Sequence, residues 1–201
     1  MDVIDAIYNR RSVKHFDPEH QMSADEEKKL FEAVIQAPTS FNIQHWRFVV
    51  LREPELRAKI RKEFGNDQAQ MTDASLLVLF TGDQKAWQKE PSRYWQNAPQ
   101  EVADLLVNWM GPFHEGREWL QRDEAQRSIG MAMQTMMLAA QGLGYQSCPM
   151  IGFDIEEVAQ LVNLPDDHVM GPMIAIGRGT KEPWPKPGQL PLSQVVVDNS
   201  F

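Results

Sequence analysis

The apolar positions of the chain follow two patterns, helical spacing and short continuous runs, and together they predict helices interspersed with strands. A first short helix is predicted to end near Arg10. Ser23 and Glu26 form a capping box that begins a second helix, which Pro38 ends. Further helices are predicted from Pro54 to about Gly65, after Pro99, over roughly 124–141 and after Asp154.

Four short segments rich in β-branched and apolar residues are predicted to be strands: 46–51, 75–81, 146–150 and 169–176. The second of them is apolar on both faces, which is typical of a central strand. Helices and strands do not alternate strictly, so the pattern favours an α+β layer structure over a doubly wound parallel sheet. We therefore expect a single domain over residues 1–201.

Two segments depart from this pattern. Residues 83–121 are rich in Trp and Pro and hold a helix whose apolar stripe includes Trp109, which we expect to lie in the core. Residues 180–201 form a Pro-rich extended arm that ends in the strand-like sequence QVVVD. Because this arm cannot build a core of its own, we expect it to lie across another surface, with its VVV run paired to a sheet edge of this chain or of another subunit.

Composition excludes several classes of protein. The 201 residues carry a net charge of −8, which argues against a general nucleic-acid binder. Cys148 is the only cysteine and cannot form an internal disulfide; we expect it to be buried and unreactive. The longest apolar run, 74–80, is too short to span a membrane, and the N-terminus does not resemble a signal peptide. The expected location is the cytoplasm, with no membrane or nucleic-acid partner.

One local feature opposes the acidic balance. The segment RRSVKHF places Arg10, Arg11, Lys14 and His15 close together, which indicates a small anionic ligand. The sequence has no phosphate loop, no nucleophile elbow and no metal-ligand spacing, and its histidines are expected to be structural or on the surface. If the protein is an enzyme, a cofactor is expected to carry the chemistry.

Four motifs occur in an order that resembles the nitroreductase family: RRSVKHF, APTSFNIQHW, the DAS that opens SLLVLF, and LAAQGLGYQSCPMIGF. Members of this family are homodimeric oxidoreductases that use flavin mononucleotide (FMN). The resemblance implies a central mixed or antiparallel sheet flanked by helices, and a C-terminal arm, 180–201, that extends onto the partner. It also implies that 83–121 is a variable helical lid, whose candidate substrate contacts are Trp95, Trp109, Phe113 and Trp119.

The resemblance implies that the basic segment contacts the flavin phosphate and the pyrimidine edge of the ring, through Arg10, Arg11, Ser12 and Lys14. Lys14 would stabilise the negative charge of the reduced ring and raise its redox potential. The family's tail commonly supplies two cations to the phosphate, and this chain has Lys186 and Gln189 there. The alternative interpretation of the cluster is a solvated group of cations at a helix C-terminus.

Two further segments are implied to contact the ring. Pro38, Thr39, Ser40 and Asn42 would reach it from the partner subunit, and the backbone of Pro149, Met150, Ile151 and Gly152 would face its N5 and O4 atoms. Gln70 would bond the ring edge, whereas Asp67 stands where many members carry Asn. The alternatives are a turn that stops a helix and a strand end with a turn glycine.

The resemblance implies a ping-pong reaction. A hydride would pass from NADH or NADPH to flavin N5, and then to a nitroaromatic, quinone or similar small-molecule acceptor, with no catalytic side chain and no metal required. Two alternatives remain open at this point: other flavin chemistry such as reductive dehalogenation, and a flavin-binding protein without turnover.

Overall fold

The computed structural model describes residues 2–201, which contain a four-stranded sheet. Its strands are β1 (Trp46–Val50), β2 (Leu76–Asp83), β3 (Gln146–Met150) and β4 (His168–Gly177). They lie in the order β1-β2-β4-β3, and every neighbouring pair is antiparallel. The α+β prediction is confirmed, with a sheet that is antiparallel rather than mixed. All eight residues of β2 are buried, as expected of a central strand.

Eight α-helices occur within these residues: α1 (Val3–Asn9), α2 (Ala24–Val34), α3 (Pro54–Lys59), α4 (Gln70–Asp73), α5 (Gln100–His114), α6 (Glu118–Gly142), α7 (Ile155–Leu161) and α8 (Leu192–Val195). Single helical turns span Ser40–Asn42, Ala86–Gln88 and Pro91–Trp95, and a π-turn at Ile60–Phe64 continues α3. The predicted capping box of α2 is present: the Ser23 hydroxyl accepts a bond from the Glu26 backbone N–H, and the Glu26 carboxylate accepts from the Ser23 N–H.

Both faces of the sheet carry an apolar core. On one face, Phe80 and Val78 pack with Met136 of α6 and with α2. On the other, Leu77 and Leu79 of the same strand pack with residues that precede α4 and with α7. Because successive side chains of a strand point to opposite faces, β2 contributes to both layers. Three methionines of α6 also pack on the first of these faces: Met136 and Met137 are buried, and Met133 is partly buried.

Two predictions about helices are wrong, and one about the arm is tested only within the single chain. Trp109 is 55% exposed. The apolar residues that α5 buries are Ala103 and Met110, and the apolar stripe that contains Trp109 lies outside the core. Helix α6 begins at Glu118 rather than near 124, since its first turns bury a polar residue, Gln121, and so lack an apolar pattern. The QVVVD segment forms no strand within residues 2–201 of the single chain; it overlaps the end of the short helix α8 and is exposed, and its pairing with another subunit stays a prediction.

A lysine in residues 83–121, the segment predicted to be a lid, joins that segment to the sheet. Lys89 Nζ lies 2.8 Å from Oδ2 of Asp83, the buried last residue of β2, and 2.7 Å from Oδ2 of Asp167. The hydrogen bond from Lys89 to Asp167 holds the pKa of Asp167 below its ordinary value. Asp83, Asp167 and His168 lie close enough to one another to share a metal ion, but the ammonium already lies between the two carboxylates.

Lys89→Met is expected to lower the free energy of unfolding by about 1–3 kcal/mol, because it removes the nearer of the two cations beside the buried carboxylate of Asp83, the other being Arg47 at 3.7 Å. Lys28→Met is the matched control, since Lys28 pairs with Glu32 at 3.8 Å on an exposed helix face. That change is expected to cost less than about 0.5 kcal/mol. Urea unfolding of both variants measures the difference, and equal losses would contradict an anchoring role for Lys89.

Candidate functional site

The basic segment after α1 lies along the outer edge of β3. The Val13 N–H donates to the Ser147 carbonyl at 3.0 Å, and Ser12 and Ser147 form a parallel bridge. Val13 and Phe16 are buried at 3% and 4% exposure, so they fix the segment to the core. The side chains between and before them therefore point outward, and Ser12 and Lys14 are exposed.

A cavity of about 460 Å³ lies between this segment and the first part of the C-terminal arm. One wall of the cavity is the basic segment, residues 10–15, and the other is the arm, residues 181–189. They contribute five cationic side chains, Arg10, Arg11, Lys14, Lys181 and Lys186, and one carboxylate, Glu182. None of the five cations forms an ion pair within residues 2–201. In a chain of net charge −8, this concentration of unpaired cations suits an anion.

The two arginines of the cavity differ in what they can offer a ligand. Arg11 Nη1 donates to the carbonyls of Tyr8, at 2.7 Å, and Arg10, at 2.9 Å, so it helps to cap α1. Arg10 Nη1 is buried and has no hydrogen-bond partner among residues 2–201. A buried guanidinium nitrogen without a partner is costly, and a phosphate oxygen would satisfy it. The donor set therefore fits a phosphate group.

The end of β3 supplies a second group of donors. The backbone N–H groups of Ile151 and Gly152 donate no hydrogen bond within residues 2–201, and both residues are exposed. The Gly152 carbonyl, in contrast, accepts from Gln68 Nε2 at 2.8 Å and from Asn66 Nδ2 at 3.1 Å. These side-chain amides hold the turn after β3 by its carbonyl and leave its two N–H groups available.

Gln70 belongs to the same network. Its side chain is buried, and Nε2 donates to Oε1 of Gln68 at 3.0 Å. Cys148 lies beside Gln70; burial raises the pKa of its thiol, against the nearby charge of Lys14. The expectation of a buried Cys148 is confirmed. Asp67 instead forms an ion pair with Arg61 at 2.7 Å. The sequence did not predict a role for Gln68 in holding the Gly152 carbonyl. The only signal in the sequence was its position two residues before Gln70.

The structure thus brings together most of the predicted site residues along β3: Arg10, Arg11, Ser12, Lys14 and Lys186 at the cavity, and Gln70, Pro149, Met150, Ile151 and Gly152 at the strand and its end. Gln189 also lines the cavity. The flavin contacts assigned to these residues stay predictions.

The loop 38–42 lies elsewhere. It leads into β1, and β1 and β3 are the two opposite edges of the sheet, about 14 Å apart at the usual strand spacing. Thr39 Oγ1 accepts from the Gln44 N–H, and Asn42 Nδ2 donates to the Tyr94 carbonyl at 2.7 Å. Pro38 and Ser40 likewise do not line the cation-lined cavity. Within one chain this loop does not contribute to that cavity.

An aromatic surface lies at the same end of the molecule as this loop. Phe41, Trp109, Pro112, Phe113 and Arg117 line an open cavity of about 360 Å³. The rings of Phe41 and Phe113 are 5.2 Å apart, and the Arg117 guanidinium lies 6.0 Å from the Phe113 ring centroid. Trp119 is 64% exposed, whereas Trp95 is half-buried and packs beneath, in a cluster with Ile43 and Met110.

Two buried histidines support this region. His114 stacks on Trp87 at 5.5 Å and donates from Nδ1 to the Met110 carbonyl at 2.8 Å. His45 Nδ1 lies 2.9 Å from Ser128 Oγ. Burial, and then the neighbouring His114, lowers the pKa of His45 to about 4. Burial also lowers the pKa of His114. Both side chains are buried, and their assignment as structural residues stays a prediction.

Comparison with known proteins identifies the family. A sequence model described as the nitroreductase family matches residues 7–178. The chain belongs to the nitroreductase family. Protein DrgA of Synechocystis is 60% identical over 201 residues, which cover 98% of this chain and 95% of DrgA. MhqN of Bacillus subtilis, a candidate NAD(P)H nitroreductase, is 31% identical over 88% of each chain.

Solved structures of nitroreductase-family proteins share the fold. A candidate NAD(P)H:FMN oxidoreductase from Staphylococcus epidermidis superposes with a TM-score of 0.89 at 25% identity, covering 98% of this chain and 95% of that chain. The predicted family and the prediction of an oxidoreductase enzyme are both confirmed. None of the helices within residues 2–201 is long and apolar enough to cross a membrane. The expected cytoplasmic location stays a prediction.

Proposed function

We propose that this nitroreductase-family chain is an FMN-dependent enzyme, which oxidises NADH or NADPH and reduces a nitroaromatic, quinone or similar flat acceptor. The observation that carries the proposal is the pairing of two donor sets along β3. Unpaired cations line the cavity at one end of the strand, and the free N–H groups of Ile151 and Gly152 lie at the other. FMN has a phosphate and a ring with acceptor atoms, so it matches both sets.

Each part of the site would have a separate task. FMN, when bound, supplies the hydride-transfer chemistry. Arg10 and Lys186 would bind its phosphate, and Lys14 would stabilise negative charge at the pyrimidine edge of the ring. Ile151 and Gly152 would orient the ring through their N–H groups, held in place by the amides of Gln68 and Asn66. The name of the Staphylococcus epidermidis protein, an FMN oxidoreductase, supports the choice of cofactor.

The proposal includes a homodimer. Two groups of apolar side chains are exposed in the single chain: Val3, Ile4 and Ile7 on α1, and Leu190, Leu192, Val195, Val196, Val197 and Phe201 on the arm. Apolar exposure on this scale is typical of a surface that another molecule covers. A second copy would cover both groups through the arm, 180–201. It would also bring the polar loop of Thr39, Ser40 and Asn42 to the partner's cofactor.

The acceptor is proposed to bind under the lid, 83–121. Trp109 and Phe113 are exposed aromatic side chains there, and Phe41 of the loop contacts Phe113. Stacking on such rings favours flat conjugated acceptors. No feature of the described residues favours dehalogenation over simple reduction.

The test is turnover by the purified protein after FMN has been added. Oxidation of NADH and NADPH is followed by absorbance, first alone and then with menadione or a nitroaromatic acid as the acceptor. We expect acceptor-dependent oxidation with parallel lines in a double-reciprocal plot, as ping-pong kinetics require. Protein that takes up no FMN, or that oxidises neither nucleotide, would contradict the proposal.

A further inference from the structure

Trp184 of the C-terminal arm is a large aromatic side chain that no core cluster includes. It is 83% exposed, and yet it lines the cation-lined cavity. Its ring centroid lies 5.3 Å from Lys14 Nζ on the opposite wall. An indole at this distance from an ammonium attracts it through the negative face of the ring.

A second cation–ring contact joins the two walls, and here the arm supplies the cation. Lys186 of the arm lies with Nζ 5.9 Å from the ring centroid of Tyr8, at the end of α1. The same ammonium donates to the Ile7 carbonyl at 3.2 Å. In one contact the arm supplies the ring, and in the other it supplies the cation. The arm is therefore tied across the cavity at two points two residues apart.

These contacts matter because the arm offers little charge of its own at this position. Gln189 is neutral, so Lys186 is the only cation among residues 183–189. Lys14 has a flexible side chain with no ion pair, and the indole is the contact that restricts its ammonium at the cavity wall.

We infer that residues 183–189 form a strap that closes the outer side of the cofactor cavity, and that Trp184 is a positioning residue within it. Trp184 holds Lys14 at the cavity and slows the escape of bound FMN. This inference rests on the proposed function, because it takes FMN as the occupant of the cavity.

The test is a double-mutant cycle on FMN binding, read by flavin fluorescence and by the rate of FMN dissociation. It uses the wild type, Trp184→Ala, Lys14→Met and the double variant. We expect Trp184→Ala to raise the Kd for FMN about 5-fold and to speed the dissociation of FMN. In the Lys14→Met background, the factor by which Trp184→Ala raises the Kd should be about 2- to 5-fold smaller. Trp184→Phe keeps a ring and is expected to restore most of the affinity.

Ile35→Ala is the matched control, because Ile35 is an exposed apolar residue that lies outside the cavity and outside the apolar surface assigned to the partner contact. It is expected to leave FMN binding unchanged. Size-exclusion chromatography of each variant accompanies the titrations. If Trp184→Ala dissociates the dimer, the side chain acts at the partner contact, and the inference is overturned.

The remaining outcomes separate the inference from the proposed function. If Arg10→Ala weakens FMN binding and Trp184→Ala does not, the strap is wrong while the cofactor site stands. If Trp184→Ala weakens binding equally with Lys14 or Met at position 14, the indole acts without Lys14, and the positioning role is overturned. If the wild type binds no FMN, the proposed function fails first, and the inference falls with it.

Discussion

Arg10→Ala is expected to raise the Kd for FMN about 10- to 100-fold, because a charge-assisted hydrogen bond to phosphate contributes about 1.5–3 kcal/mol. Arg10 is chosen over Arg11 because its Nη1 is buried and lacks a partner, whereas Arg11 already caps α1. Titration of FMN by flavin fluorescence measures the change. Arg10→Lys keeps the charge without the bidentate geometry, so its effect should be intermediate.

Riboflavin makes this prediction specific, since it has the ring and the ribityl chain of FMN but no phosphate. Arg10→Ala should weaken FMN binding far more than riboflavin binding. Arg122→Ala is the control: Arg122 is exposed and forms no ion pair within residues 2–201. If the ratio of the two affinities is the same in the wild type and in Arg10→Ala, then Arg10 does not contact the phosphate.

The second large effect is a loss of stability in acid that originates beneath the lid. The pKa of His45 is about 4 in the folded chain, against 6.5 when the imidazole is in water. The unfolded chain therefore binds more protons below pH 6.5, so the stabilisation is complete above that pH and is lost as the pH falls toward 4. The loss from His45 alone is about 3 kcal/mol by pH 4.

The charged neighbours of the two histidines set the direction of this effect. His114 and Arg47 oppose protonation of His45, and Asp83 favours it. Around His114, the Met110 carbonyl and Glu124 favour protonation, and Arg117 opposes it. Burial is the largest cause at both residues, so the neutral pair is the folded form, and His114 adds to the loss in acid.

Urea unfolding at pH 7.5 and at pH 4 measures the prediction. His45→Gln cannot take up a proton, so its stability should fall by about 3 kcal/mol less between the two pH values than that of the wild type. His15→Gln is the control, because His15 is exposed. A wild type and a His45→Gln variant with equal losses would show that His45 titrates normally in the folded chain.

The fold was predictable where the pattern of apolar residues is one-sided or continuous. Strand β2 and the capping box of α2 are examples, because each depends on residues close together in the sequence. Trp109 was not predictable, since α5 has apolar residues on two faces and the spacing does not say which face packs. The start of α6 was missed because Gln121 is buried through hydrogen bonds to Lys85 and to the His114 carbonyl.

The candidate site, too, has a part that the sequence predicts and a part that it does not. Arg10, Arg11 and Lys14 stand together in the sequence, so their shared ligand was a local prediction. The position of the C-terminal arm opposite these cations was implied only by the family resemblance, because no spacing of apolar residues indicates it. The amides of Gln68 and Asn66, and the contact of Trp184 with Lys14, join residues far apart in the chain. Only the folded arrangement shows such contacts.

The position of the basic segment beside β3 also limits how this protein can vary. An uncovered edge strand pairs readily with other chains and promotes aggregation, and here the backbone of Ser12 and Val13 covers that edge. Deletions or prolines in the segment would therefore reduce solubility as well as the affinity for the cofactor. Exchange of its outward side chains would spare this pairing, but Ser12 and Lys14 belong to the proposed cofactor site, so His15 is the outward position that can vary without cost to either.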